Sequence, residues 1–327
     1  MHQPFLDFFK KKTLKSVLIT SHENVDPDGL CSAFAIKSLI HTLYPNMKCE
    51  IYFDGLNRIS QKIVNKLNLE ITIQGDFKSY GIIIVDANST EQLGELKNQI
   101  NWENPVLIID HHVSHPKTKE ITELLIINEI AIATTEIILE IYQALNITPM
   151  KETASLIFLG LLSDSRHLIL ANTKTLQNIT QLINAGVNYS EMIELLTIPM
   201  EIPERIARIK AAQRLTLHRF NEWIIAVSHV SAYEASACRA LLNLGVDVAI
   251  VFGKKKDEIR VSARSTNKIT EKTNLNLARD IMEKIGPIMH GEGGGHDRAA
   301  GCNGKDNLKK GIELALKLIK EKLTNKS

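Results

Sequence analysis

The sequence predicts an α/β protein in two domains: a parallel sheet with helices on both faces, then a smaller α/β domain, with a cleft between them. Short runs rich in β-branched residues recur through residues 16–128 with helix-like segments between them, the rhythm of a parallel sheet. The runs are continuously apolar rather than alternating, so both faces of the sheet need cover. At 327 residues the chain also exceeds the usual size of one hydrophobic core.

In chain order, the predicted strands are SVLIT (16–20), CEIYF (49–53), GIIIVD (81–86), NPVLIID (104–110) and ELLIIN (123–128), covered by helices near 30–43, 130–146 and 151–163. After about Asn188 the chain turns polar and proline-punctuated (TIPMEIPERIARIKAAQRL), which reads as a helical connector. The domains are placed at 1–188 and 214–327, with 189–213 linking them. In the second domain RLTLHRF, EWIIAVSHV, DVAIVFGKK and EIRVSARS read as strands, with helices near 232–243, 273–284 and 306–323. No internal repeat is visible.

Composition excludes several classes. Lys and Arg total 39 against 37 Asp and Glu, a net +2 that gives no case for wrapping long duplex DNA and suits a short or small anionic substrate. Cys31, Cys49, Cys238 and Cys302 stand far apart with no C-x-x-C pair, so they read as reduced, buried thiols. The N-terminal PFLDFFKKK carries a charge inside a short apolar stretch with no cleavage site, and no later apolar run approaches membrane-spanning length. A soluble cytoplasmic protein without a membrane partner is the expectation.

The chemistry-bearing residues gather at predicted strand ends. The first strand empties into Ser-His-Glu-Asn-Val-Asp-Pro-Asp-Gly, placing His22, Asp26 and Asp28 at the carboxyl end of the sheet, where ligands bind in open α/β folds. Pro27 disfavours α backbone at Asp26, so the loop should stay irregular to Gly29, with a helix from about Leu30. Asp28 could equally be an N-cap for that helix and His22 an ordinary loop histidine. The third run ends in Asp86 and the fourth in Asp110-His111-His112, while the helix over 151–163 runs into Ser163-Asp164-Ser165-Arg166-His167. Imidazoles with several carboxylates suit borderline-hard divalent ions such as Mn²⁺, with Mg²⁺ or Co²⁺ as alternatives. His41, His218, His229 and the Lys-rich run over 305–326 read as surface or packing features.

Taken together, His22-x3-Asp26-x-Asp28-Gly29, Ile84-Val85-Asp86, Asp110-His111-His112 and Asp164 resemble the motifs of the DHH phosphoesterase family, including its archaeal branch. The resemblance implies two divalent ions: one held by His22, Asp26 and Asp86, the second by Asp28, Asp86, His111 and Asp164, with Asp86 bridging. It further implies that Asp110 orients a histidine and that His112 faces the substrate phosphate, for charge stabilisation or leaving-group protonation.

The second domain carries Gly291-Glu-Gly-Gly-Gly-His-Asp-Arg-Ala-Ala-Gly301, similar to the GGGH motif of DHHA1 domains, so the resemblance spans nearly the whole chain. Gly293, Gly294 and Gly295 could let backbone N–H groups cradle a phosphate, with His296 donating to it. By the same resemblance the strand motif Ser262-Ala263-Arg264-Ser265 supplies Arg264 to a nucleotide. Where related oligoribonucleases carry a small residue and an aromatic turn after the last aspartate, this chain has Arg166 and His167, which could alter substrate choice.

These expectations converge on a two-metal, bridging-hydroxide hydrolysis of phosphodiester bonds in short single-stranded RNA or DNA, releasing nucleoside monophosphates, as in the nanoRNase and RecJ-like branches. With Trp102 and Trp223 the only tryptophans, stacking platforms for long strands are few. The closest enzymatic alternative is a 3′-phosphoadenosine 5′-phosphate phosphatase or a cyclic or linear dinucleotide phosphodiesterase. A family II pyrophosphatase shares the metal motifs but pairs them with a different second domain. The non-enzymatic alternative is a nuclease subunit docked on a DNA-repair helicase, and a homodimer is compatible with the sequence.

Overall fold

All five β-branched runs of the N-terminal part form strands: β1 (Ser16–Thr20), β2 (Lys48–Ile51), β3 (Gly81–Val85), β4 (Val106–Asp110) and β5 (Leu124–Ile127). The computed structural model describes residues 2–11, 14–78, 80–115, 118–255 and 258–324. The chain divides into two compact units, Met1–Ile198 and Pro199–Ser327.

In the first unit every strand pairing is parallel and the order is β2-β1-β3-β4-β5. From β1 the chain goes outward to β2 and returns to β3 on the other side, so a topological switch point lies between β1 and β3. Around the sheet lie α1 (His2–Lys11), α2 (Pro27–Leu43), α3 (Arg58–Leu67), the short α4 (Thr118–Ile121), α5 (Thr134–Ala144), α6 (Lys151–Asp164), α7 (Thr173–Asn184) and α8 (Tyr189–Leu196).

The two faces are covered unequally. Val17, Ile19, Ile83, Val85, Leu107 and Ile109 pack under the thick helical layer, with α2 and α6 pressed against each other. The alternate residues Leu18, Ile82, Ile84 and Ile108 meet Phe77, Tyr80, Leu93, Leu96 and Ile100, contributed largely by loops and a 3-10 stretch over Thr90–Asn98. This two-sided burial is why the strands read as continuous apolar runs. Helix α1, which the sequence reading did not anticipate, buries Phe5, Phe8 and Phe9 in the same core. The α5 helix is shorter than the predicted 130–146, because Ala133 is extended and the chain turns over 128–131.

The stretch 189–213 does not form one connector. Helix α8 packs on α3 and α6 in the first unit, and α9 (Ile202–Gln213) packs on elements of the second. That unit has a six-stranded mixed sheet of order β10-β11-β9-β8-β7-β6. Its strands are β6 (Thr216–Phe220), β7 (Trp223–Val230), β8 (Val248–Lys255), β9 (Glu258–Ser265), β10 (Gly293–Gly295) and β11 (Ala299–Gly304). Among the described residues of this unit, only β7 and β8 pair in parallel. Helices α9 and α10 (Glu234–Asn243) pack beside Ala226, Val230, Ala249 and Val251; α13 (Leu308–Thr324) and a π-helical turn (Leu277–Met282) pack on the opposite face.

The single helix expected over 273–284 is instead three pieces: α11 (Asn267–Thr273), the π turn, and α12 (Glu283–Ile288). Asn274 ends α11 in a left-handed conformation and Asn276 caps the next turn through its side chain, so local side-chain chemistry interrupts the periodicity. Residues 325 and 326 of the predicted C-terminal run lie outside the described residues. All four cysteines are buried and unpaired. Among the described residues no helix is long and apolar enough to cross a membrane.

Candidate metal centre

Strand β1 ends at Thr20, and the loop that follows carries His22 and Asp26 past the switch point. Asp26 is extended, with ψ at 179°, as a residue before proline should be, and from that conformation it caps α2. Its Oδ1 accepts from the amides of Asp28 at 2.9 Å and Gly29 at 3.1 Å. The helix therefore begins at Pro27 rather than near Leu30, and the capping role left open to Asp28 belongs to Asp26. Asp28, in the first helical turn, is wholly buried.

Asp86 follows β3 with φ at +57°, a left-handed conformation that Asp, Asn and Gly adopt most readily. Its carboxylate oxygens part company. Oδ2 lies 3.8 Å from His22 Nε2, while Oδ1 lies 3.5 Å from His111 Nε2 and 3.6 Å from His112 Nδ1. Ligand atoms of His22, Asp26 and Asp86 all come within 4.8 Å of one another, as do those of Asp28, His111 and Asp164, and those of Asp86, Asp110, His111 and His112.

Each histidine has its Nδ1 engaged, which leaves Nε2 to act. His22 Nδ1 donates to the Glu23 carbonyl at 2.8 Å, His111 Nδ1 to the Ala131 carbonyl at 3.3 Å, and His112 Nδ1 to Asp110 Oδ1 at 2.8 Å. Nε2 of His111 is buried without a hydrogen-bond partner, although Asp164 Oδ2 is 3.4 Å away. An orphaned imidazole nitrogen facing carboxylates is costly by itself and suits a cation between them.

The electrostatics point the same way. Burial, then the charge of Asp164, pushes the Asp28 carboxyl up to about 7. Burial and the charge of Asp28 hold Asp86 well above the usual carboxylate range. Burial pulls His111 down, but Asp164 and Asp28 outweigh it and raise the imidazole to about 9. Burial opposes the charge on Asp26, yet the hydrogen bonds from His22 and the α2 amides keep it below the ordinary value. Packed carboxylates of this kind hold protons unless divalent cations replace them. Residues and chemistry therefore fit a pair of divalent ions, for which His22, Asp26 and Asp86 would form one ligand set and Asp28, His111 and Asp164 another, Asp86 also lying 3.5 Å from His111. When bound, such ions supply an activated water and neutralise phosphoryl charge.

Several residues around this centre escaped the sequence reading. Asn88 donates to Asp110 Oδ2 at 2.7 Å and to the Val113 carbonyl at 3.0 Å, so Asp110, itself fully buried, is held on both oxygens while it holds His112. His112 is half exposed, with Nδ1 held against the buried Asp110. Thr134 and Thr135, at the start of α5, bond Asp28 and Asp86; a threonine pair opening a helix was the available signal. After Asp164 the chain makes one left-handed turn, with φ of +50° at Arg166, +56° at His167 and +69° at Leu168, which places the exposed Arg166 two residues from a candidate ligand. Three such residues cost roughly 1–2 kcal/mol apiece, the kind of strain found at functional sites. Ser165 closes the turn, accepting from Leu168 N at 3.0 Å and, through its carbonyl, from Leu170 N at 2.9 Å.

In the second unit the glycine run is not an open nest. Gly293, Gly294 and Gly295 form edge strand β10, paired with Cys302, Gly301 and Ala300 of β11. A side chain at Gly293 would land on the Met282 carbonyl oxygen, so this glycine permits close packing on the π turn; a Cβ at Gly294 would meet nothing. Gly294, Gly301 and Ser262 lie in register across three strands. They floor a cavity of about 590 Å³ also bounded by Tyr233, Arg260 and Asn303. Arg264 lies on the same face of β9, half-buried, with Nη1 on the Ala263 carbonyl at 2.9 Å, and His296 is exposed.

Residues 16–161 match the DHH family, N-terminal domain, and residues 226–325 match the DHHA1 domain. An uncharacterized protein of Methanocaldococcus jannaschii is 36% identical over 96% of this chain and 94% of its own length. The bifunctional oligoribonuclease and PAP phosphatase NrnA of Thermus thermophilus is 24% identical over 67% of this chain and 65% of its own. The crystal structure of an exopolyphosphatase-related protein from Bacteroides fragilis superposes over 98% of this chain and 96% of that one, with a TM-score of 0.57 at 15% identity. The chain thus belongs to the DHH family of phosphoesterases and carries its DHHA1 domain; enzymes of this family hydrolyse phosphoester bonds using divalent metals.

Proposed function

We propose that this protein is a Mn²⁺-dependent phosphodiesterase that degrades short single-stranded oligonucleotides to nucleoside monophosphates. The observation that carries the reading is Asp86: a buried carboxylate whose two oxygens face two separate ligand sets, beside a half-exposed His112 aligned by Asp110. In this reading Asp110 accepts from His112 Nδ1 and steadies the doubly protonated imidazolium, whose Nε2–H can stabilise phosphoryl charge or pass its proton to the departing oxygen. Arg166 contributes a cation at the rim.

Charge distribution supports a polyanionic substrate. Residues 199–327 carry 23 Lys and Arg against 15 Asp and Glu, whereas residues 1–198 carry 16 against 22, the excess acid being comparable to the carboxylates that two ions would neutralise. Arg264, Ser262, Gly293, Gly294, Gly295 and His296 of the basic unit are the proposed contacts to the nucleotide. The name of the Thermus relative couples oligoribonuclease with PAP phosphatase activity, so a monoesterase activity toward 3′-phosphoadenosine 5′-phosphate is the second reading.

The test is Mn²⁺-dependent digestion of end-labelled RNA and DNA oligomers of two to five nucleotides, beside 3′-phosphoadenosine 5′-phosphate and long single strands. Mononucleotide release from the short oligomers that vanishes in Asp86→Asn is the expected result. Turnover of the bisphosphate alone would move the assignment to the monoesterase, and equal digestion of long strands would move it to a processive nuclease.

A further inference from the structure

Resting on the metal-centre reading, we infer that Thr134 and Thr135 are positioning residues that aim Asp28 and Asp86 at the ions and set the affinity of each. Ala133 gives α5 no side-chain cap, so the amides of its first turn need other acceptors. Asp28 supplies them from far away in sequence. Its Oδ2 accepts from Thr134 N at 2.6 Å, and its Oδ1 from Thr135 N at 3.1 Å and from the Thr135 hydroxyl at 2.7 Å. The Thr134 hydroxyl turns the other way and donates to Asp86 Oδ1 at 3.0 Å. All four side chains are buried.

Lone-pair counting gives this clamp its consequence. A carboxylate oxygen accepts about two hydrogen bonds. Oδ1 of Asp28 is filled by Thr135, and Oδ2 keeps one free position after Thr134 N. Asp28 is thereby a one-oxygen donor whose carboxylate cannot rotate without breaking three bonds. Asp86 gives up one position on Oδ1 and keeps Oδ2 free toward His22. Helix α6 leaves room for the arrangement: a Cβ at Gly160 would stand 2.5 Å from Thr135 Oγ1 and 2.7 Å from Asp28 Oδ1. Because the two hydroxyls serve different carboxylates, their effects separate. Thr135 acts on the ion of Asp28, His111 and Asp164; Thr134, through Asp86, acts on both.

The test uses the full chain with Ser and Ala at each position and follows Mn²⁺ binding by calorimetry and by the electron paramagnetic resonance signal of the free ion. Ser and Ala both lose the threonine methyl, and only Ala loses the hydroxyl. Thr135→Ala should weaken one ion by about 10- to 100-fold, the range for groups that orient metal ligands, and leave the other unchanged. Thr134→Ala should weaken both, and each Ser variant should bind as the unaltered chain does. If an Ala variant does not fold, Thr→Val removes the hydroxyl at nearly constant volume and carries the same comparison. Unchanged binding without the hydroxyls overturns the inference, and so do Ser variants as weak as Ala, which would assign the threonines to packing. Failure of the unaltered chain to bind Mn²⁺, Mg²⁺ or Co²⁺ is the distinct result that would remove the metal centre itself.

Discussion

Gly160→Ala offers a sharp probe of how tightly the first unit holds its site. The added methyl would stand 2.5 Å from both Thr135 Oγ1 and Cγ2 and 2.7 Å from Asp28 Oδ1, where ordinary contact begins near 3.4 Å. Either α6 must retreat, or Thr135 must yield by about 0.9 Å and the Asp28 carboxylate by about 0.7 Å. Overpacking of this kind costs about 1–3 kcal/mol. Alanine regains up to about 1 kcal/mol over glycine inside a helix. A net loss of roughly 0–2 kcal/mol leaves the chain folded, with its melting temperature lowered by a few degrees. A ligand displaced by most of an ångström, by contrast, falls in the range where activity drops on the order of 100-fold. The prediction is a small thermal shift with a large loss of dinucleotide hydrolysis at saturating Mn²⁺, and weakened Mn²⁺ binding by calorimetry. Full turnover together with unchanged Mn²⁺ affinity would refute the idea that α6 holds Asp28 to this tolerance.

Asp110→Asn keeps the shape beneath His112 but removes the negative charge that supports its imidazolium, so turnover should fall by about 10²- to 10⁴-fold, the span of general acid–base contributions, with two Mn²⁺ still bound; loss of metal instead would place Asp110 among the ligands. In metal-free protein Asp28 keeps its proton to about 7 against 3.8 when exposed, so its stabilising contribution is present below about pH 4 and is lost as pH rises through 7. His111, raised from 6.5 to about 9, acts in the same sense over a higher window. Melting in EDTA should therefore decline between pH 5 and 8 while the increment on adding Mn²⁺ grows, and an increment independent of pH would contradict the proton-for-metal exchange. Gly293→Ala should lower the melting temperature of the second unit, whereas Gly294→Ala should not; a raised KM in Gly294→Ala would place substrate in the 590 Å³ cavity, and an unchanged one would exclude it.

The parallel sheet was legible because its strands are buried on both faces and so appear as Val- and Ile-rich runs, and because Asp110 ends a strand and His22, Asp26, Asp28, Asp86 and His111 follow strand ends. The start of α2 was misread because Pro27 was taken to delay the helix, when proline at the first helical position with an extended residue before it favours a start. What the sequence hid are pairings across long separations: Thr135 with Asp28, Asn88 with Asp110, and Gly160 over both helices' contact. A glycine's freedom can serve a nest or a close packing, and GGG alone does not distinguish them; the carbonyl of Met282 against Gly293 does. The near-neutral overall charge likewise conceals two halves of opposite sign, visible only once the unit boundary is known.

The left-handed backbone of Asp86 restricts how the position can be altered at all. A residue with an ordinary β-carbon pays about 1–2 kcal/mol there, glycine loosens the end of β3, and asparagine alone combines tolerance of that conformation with a side chain of the same outline. Alanine would therefore confound an empty ligand position with a disturbed strand terminus. The neutral isostere separates the two, so whatever binding or turnover disappears with it measures the missing negative charge.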